Sequence, residues 1–134
     1  MEWFQLAWTR YADYSGRSRR KEYWMFSLIN CLIIFALEIA GMALTKFGTG
    51  FIFFLAPVGI YALVSVVPSM SLSVRRLHDT GRSGWWLLIG LVPVLGGIIF
   101  FVFTVLDSEP GPNLYGPDPK LPLQAQITAT PTGF

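Results

Sequence analysis

The sequence predicts an all-α membrane protein, with three transmembrane helices behind an amphipathic, interfacial amino-terminal helix. Three observations predict it. First, the 134 residues are 53% hydrophobic and only 13% charged, against about 25% charged in an ordinary soluble domain. Second, the mean hydropathy is +0.52, and a chain this short has too little interior to hide that much apolar surface from water. Third, apolar runs cover 23–44, 50–74 and 85–106, each long enough for the roughly 20 residues that a crossing needs. Runs of that length are helices and not the short strands of a barrel. The chain reads as a single domain over 1–120, with a polar, Thr-rich, disordered tail over 121–134.

The amino-terminal element comes first. Glu2, Gln5, Thr9 and Asp13 recur every three or four residues, and Trp3, Phe4, Ala7, Trp8 and Tyr11 fill the remaining surface. That pattern suits a helix lying in the headgroup layer and ending near Gly16. It suits equally a helix packed on the ends of the spans.

Span one starts late and runs far, which argues against a cleaved signal sequence despite the small residues around Ala40–Ala43. Pro57, Pro68 and Pro93 fall inside spans two and three, where proline removes a backbone donor and kinks the helix. Each span carries a stripe of small or polar residues at helical spacing: Ser27, Asn30, Ile34, Glu38, Gly41 and Thr45; then Gly59, Ala62, Ser65, Ser69 and Ser73; then Trp86, Gly90, Pro93, Gly97 and Thr104. Such faces let helices approach closely in lipid. They are expected to face one another or a neighbouring subunit. Glu38 is an acidic group inside a span. It reads either as an ion or proton site or as a protonated acid bonded to a hydroxyl of another span.

Basic residues set the orientation. Arg10, Arg17, Arg19, Arg20 and Lys21 precede span one, and Lys46 alone separates spans one and two. Arg75, Arg76 and Arg82 separate spans two and three, and Lys120 follows. The positive-inside rule then puts the amino terminus and the basic loop in the cytoplasm. Three crossings leave the tail outside. A second segment made re-entrant by Pro57 or Pro68 would return it to the cytoplasm, and both topologies stay open.

A local device occurs twice. Gly16-Arg17-Ser18 precedes Tyr23-Trp24, and Gly81-Arg82-Ser83 precedes Trp85-Trp86. Each glycine permits a turn, each serine can cap the following helix, and the aromatic pair anchors it at an interface. Glu22 and Asp79 are the acids beside this basic ring, and either one pairing with an arginine of the other segment would lock the loop to span one.

Enzyme chemistry finds little support. His78 and Asp79 are adjacent, with Ser83 near, but neighbours on a helix or strand do not face each other. A single histidine and a single cysteine, Cys31, offer no metal set. No cofactor motif is present. The net charge of +2 and the apolar runs argue against nucleic acid.

Three segments together resemble the signatures of the DUF805 family of small bacterial inner-membrane proteins. They are Gly16-Arg17-Ser18-Arg19-Arg20-Lys21-Glu22-Tyr23-Trp24, then Arg75-Arg76-Leu77-His78-Asp79-Thr80-Gly81-Arg82-Ser83-Gly84-Trp85-Trp86, then Asn113-Leu114-Tyr115-Gly116-Pro117-Asp118-Pro119. The resemblance implies a multi-pass inner-membrane protein and no particular activity. It marks Gly16, Glu22, Trp24, Gly81, Gly84, Trp85, Asn113, Tyr115 and Gly116 as structural signature positions. The expected function is a non-enzymatic, homo-oligomeric module. Its cytoplasmic ring of Arg17, Arg19, Arg20, Arg75, Arg76 and Arg82, with His78 and Asp79, binds anionic lipid, a small anion or an acidic partner. The alternative is a small oligomeric channel or transporter with Asn30 and Glu38 as polar stations.

Overall fold

A computed structural model describes residues 2–45 and 51–122. Its elements are α1 (Glu2–Thr9), α2 (Arg20–Thr45), α3 (Phe51–Asp79), a 3-10 helix (Gly84–Leu91) and α4 (Leu95–Val105). No strand occurs among the described residues. Most of the expected tail lies outside them.

Helix α1 is shorter than its polar pattern. It stops at Thr9 because Asp13 makes a local turn of its own. The Asp13 carboxylate accepts from the Ser15 amide at 3.0 Å and the Ser15 hydroxyl at 2.5 Å, and pairs with Arg10 at 2.6 Å. Ala7 is buried with Phe26 of α2 and Leu72 of α3, and the Phe4 ring stacks on Phe26 at 5.5 Å. The helix therefore packs across the shared end of α2 and α3.

Helices α2 and α3 run antiparallel, with Ser18 beside Arg75 at one end and Asn30 beside Tyr61 further along. Both are long and apolar enough to cross a membrane. Pro57 and Pro68 do not interrupt α3. The Pro68 ring is fully buried. The Ser69 hydroxyl donates to the Ser65 carbonyl at 2.6 Å and that of Ser65 to the Ala62 carbonyl at 3.0 Å, so hydroxyls occupy carbonyls around the missing donor. The first two small-residue stripes do face each other. Ser27, Asn30 and Ile34 line one wall and Ser69 and Ser73 the other of a cavity of about 360 Å³.

The third apolar run corrects the sequence expectation of a single helix. Its first half is the 3-10 helix, its second is α4, and the chain reverses between them at Val92–Val94. The Leu95 amide bonds to the Pro93 carbonyl at 2.7 Å, closing a γ-turn on Val94 with φ 64° and ψ −63°. A β-branched residue at positive φ is strained. Gly96 explains how the arms meet: a Cβ there would lie 1.8 Å from the Ile89 carbonyl oxygen. The result is a helical hairpin. It starts beside the end of α3, where Gly84 meets Val74. It returns to the same end, where the Trp24 indole donates to the Thr104 carbonyl at 3.2 Å. The proposed third stripe is thus folded in half and forms no single face.

Candidate functional site

The segments flagged in the sequence converge at this one end. The loop after α1 leads into α2, the turn after α3 leads into the hairpin, and residues 107–119 close over both. Asp79 is the hub. Its side chain is 0% exposed and accepts from Arg17 Nε at 3.1 Å, from Arg76 Nη1, and from the Ser108 hydroxyl at 2.6 Å. The last residue of α3 therefore binds the loop after α1, its own preceding turn and the chain leaving α4.

Arg17 carries the connection outward. Its Nη1 donates to the Gly111 carbonyl at 2.6 Å and its Nη2 to the Glu109 carbonyl at 2.5 Å. Arg76 donates to the carbonyls of Thr104 and Leu106, satisfying acceptors that the end of α4 leaves open. A second pair lies deeper, with Arg75 Nη1 at 3.4 Å from Glu22 Oε1, both buried. Both cross-segment locks expected of Glu22 and Asp79 are present. Among the described residues, Arg75 Nε, Arg75 Nη2 and the Ser18 hydroxyl have no hydrogen-bond partner. Ser18 is not the expected cap of α2. It is fully buried, and its amide instead donates to the Arg75 carbonyl at 3.1 Å. Ser83 does cap the 3-10 helix, accepting from the Trp85 amide at 3.4 Å.

His78 and Asp79 hold different partners and form no dyad. His78 Nδ1 lies 3.2 Å from the Gly16 carbonyl oxygen, so that nitrogen carries the proton. The ring stacks on Tyr115 at 3.8 Å with a 2° interplanar angle. Asn113 Nδ2 donates at 2.9 Å to both the His78 carbonyl and Glu109 Oε2. Asn113 and Gly116 exchange backbone bonds across a tight turn. Gly81 has φ 71°, and a Cβ on it would meet Glu109 Oε2 at 2.7 Å.

The ring of six arginines divides. Arg17, Arg75 and Arg76 are buried, each beside an internal carboxylate. They are turned into the fold and offer no free surface, which corrects the expectation that all six arginines engage an external anion. Arg19 is half-buried against the Pro119 carbonyl. Arg20 is exposed, with Asp107 at 4.0 Å, and Lys21 is exposed beside it. Asp107 also pairs with Lys120 at 2.6 Å, which lowers its pKa from the usual carboxylate value. Arg82 donates to the Thr80 carbonyl at 3.1 Å and lies over the Phe103 ring at 4.3 Å. The indoles of Trp24, Trp85 and Trp86 are 39%, 79% and 46% exposed around the same end.

The polar stations of the channel reading stand apart from this end. Asn30 accepts a 2.5 Å bond from the Tyr61 hydroxyl, and Glu38 is exposed further along α2. Among the described residues no His, Cys, Asp or Glu group is arranged to hold a metal. Nothing in the sequence pattern marks Ser108, Glu109 or Ser71; the Ser71 hydroxyl joins the Arg10 and Asp13 carbonyls.

Helix composition and the buried guanidinium–carboxylate network define a small helical membrane protein whose sequence signatures are its own internal clasp. The model of the family described as protein of unknown function (DUF805) matches residues 11–117, and the chain belongs to that family. It is 40% identical over 124 residues to the inner membrane protein YhaH of Escherichia coli K12, covering 90% of this chain and 98% of that one. It is 38% identical over 129 residues to the inner membrane protein YhaI of the same strain, covering 90% and 97%. No solved structure matches.

Proposed function

We propose that this chain is a non-enzymatic module of the bacterial inner membrane that binds anionic lipid headgroups at its cytoplasmic rim. In this reading α2 and α3 cross the bilayer and the hairpin is re-entrant. The 3-10 arm of eight residues rises about 16 Å at roughly 2 Å per residue. The α4 arm of eleven residues rises about 16 Å at roughly 1.5 Å per residue. Each arm reaches about halfway through a hydrocarbon core of roughly 30 Å. Two crossings return residues 107–122 to the side of the basic segments, which the positive-inside rule makes the cytoplasm.

The observation that carries the lipid reading is the pairing of the exposed cations Arg20 and Lys21, and the half-buried Arg82, with exposed indoles at the same end of the helices. Arg20 and Lys21 project from the first turn of α2, Arg82 stands at the head of the hairpin, and Trp24, Trp85 and Trp86 flank them. Indoles favour the membrane interface, and each basic residue near an anionic surface contributes about 1 kcal/mol. The lipid contact therefore falls on Arg19, Arg20, Lys21 and Arg82.

Irregular backbone at mid-depth needs protein around it, and Leu91 and Val94 at the hairpin tip are exposed. A second copy covering the tip makes the module a homo-oligomer. The test of the lipid reading uses reconstituted protein and brominated lipids that quench tryptophan. The wild type is expected to select brominated anionic lipid over brominated phosphatidylcholine. Arg20→Gln/Lys21→Gln is expected to lose that preference by tenfold or more, at about 1 kcal/mol per charge. Equal quenching by both lipids in the wild type refutes the proposal.

A further inference from the structure

The rim contains an open pocket that the internal clasp does not use. It lies between the loop after α1, the end of α3 and the start of the 3-10 helix, with a volume of about 510 Å³. It is lined by the polar residues Tyr14, His78 and Ser83, by the apolar Val74, Leu87 and Leu88, and by Trp85. No Asp, Glu, Lys or Arg lines it.

His78 sets the chemistry. Its Nδ1 faces the Gly16 carbonyl and therefore holds the hydrogen, which leaves Nε2 as an acceptor. Tyr115 stacks on the ring and fixes its plane. Gly84 keeps the approach clear. An added Cβ would stand 3.6 Å from His78 Nε2 and 2.9 Å from Val74 Cγ1. The hydroxyls of Tyr14 and Ser83 complete the polar side: that of Tyr14 can donate and accept, and that of Ser83, which already accepts from the Trp85 amide, keeps its hydrogen to donate.

An acceptor nitrogen beside two hydroxyls, with no ion to pair, matches an uncharged group that also donates and accepts. An ammonium head would need carboxylates, and a bare phosphate would need cations inside the pocket. Trp85, on the pocket wall, is 79% exposed, which puts the opening where headgroups lie. The apolar lining then suits the first methylenes of an acyl chain.

We propose that this pocket binds the glycerol headgroup of phosphatidylglycerol, with a headgroup hydroxyl donating to His78 Nε2. The inference rests on the lipid reading above and adds to it a choice among anionic lipids.

The test compares phosphatidylglycerol with phosphatidylethanol, a phosphodiester of equal charge without a headgroup hydroxyl. Full-length protein in neutral detergent is titrated with each, and bound lipid is counted by native mass spectrometry. One or two hydrogen bonds predict phosphatidylglycerol favoured by about fivefold. Ser83→Ala and His78→Phe are expected to reduce that ratio, to about one for His78→Phe, with retained binding of both lipids. Ser83→Ala keeps the test decisive if His78→Phe does not fold. Arg20→Gln/Lys21→Gln is expected to weaken both lipids equally and keep the ratio. Equal binding of the two lipids by the wild type overturns the pocket proposal alone. Binding of neither above phosphatidylcholine overturns the lipid reading with it.

Discussion

Asp79→Ala is the most informative perturbation of the fold. The Asp79 carboxylate faces Arg17 Nε at 3.1 Å, Arg76 Nη1 and the Ser108 hydroxyl at 2.6 Å, in a setting where both guanidinium side chains are 1% exposed. Truncation leaves two buried cations without their carboxylate, though each keeps carbonyl acceptors, and one hydroxyl unpaired. Removing one partner of a buried pair costs about 3–5 kcal/mol, mostly the penalty of the stranded charge. Ser108→Ala removes one hydrogen bond to an ionised group and costs about 1.5–3 kcal/mol. The double variant Arg17→Met/Asp79→Leu removes both members of the longest-range pair and is expected to recover part of the Asp79→Ala loss, because apolar replacement of a whole pair is often neutral. Arg76 is left without a carboxylate, so recovery is incomplete. Unfolding in detergent, followed by the helical circular-dichroism signal, gives the three values; adding Arg17→Met and Asp79→Leu as single variants gives the coupling. An Asp79→Ala protein within about 1 kcal/mol of wild type would refute the role assigned to the network.

Gly96→Ala is expected to open the hairpin, because the new Cβ meets the Ile89 carbonyl oxygen at 1.8 Å. Overpacking of this kind costs about 1–3 kcal/mol or more, whereas Gly97→Ala, with nothing within 4 Å, is expected to leave the unfolding midpoint unchanged. Acid titration of the turn after α1 is expected to follow Asp13, whose pKa is lowered from 3.8 to about 2 by the Ser15 hydroxyl and Arg10. A depressed carboxylate stabilises the fold above its unfolded value, and that contribution is lost as pH falls from 3.8 towards about 2. Nuclear magnetic resonance of the Asp13 carboxyl carbon checks the midpoint; an ordinary value near 3.8 would deny the turn.

Sequence and structure agree where charge and periodicity are local. Pairing of Asp79 and Glu22 with an arginine of the other segment was legible because acids are few beside so many arginines; that the partners are Arg17 and Arg75 was not. The stripes of α2 and α3 were legible from their spacing, and they do line a common cavity. Burial of Arg17, Arg75 and Arg76 was not legible, because counting cations assigns a side of the membrane and says nothing about which cations turn inward. The hairpin was hidden by length. Residues 85–106 are long enough to cross as one helix, and Pro93 alone decides nothing when α3 runs through Pro57 and Pro68. The signal was Gly96 three residues after Pro93: one residue denies the helix a donor, and the other lets the arms touch. The role of residues 107–119 was legible only in part, since Asn113 and Tyr115 were marked but Ser108 and Glu109 carry equal weight.

The pairing of two crossings with a returning hairpin is tested most directly by cysteine labelling of a Cys31→Ser chain in intact spheroplasts. Tyr11→Cys and Leu114→Cys, both at exposed positions, are expected to resist a membrane-impermeant maleimide until the membrane is opened. Thr45→Cys, at the far end of α2, is expected to react at once. Immediate labelling at Leu114→Cys with protection at Tyr11→Cys would mean a third crossing and would contradict the account.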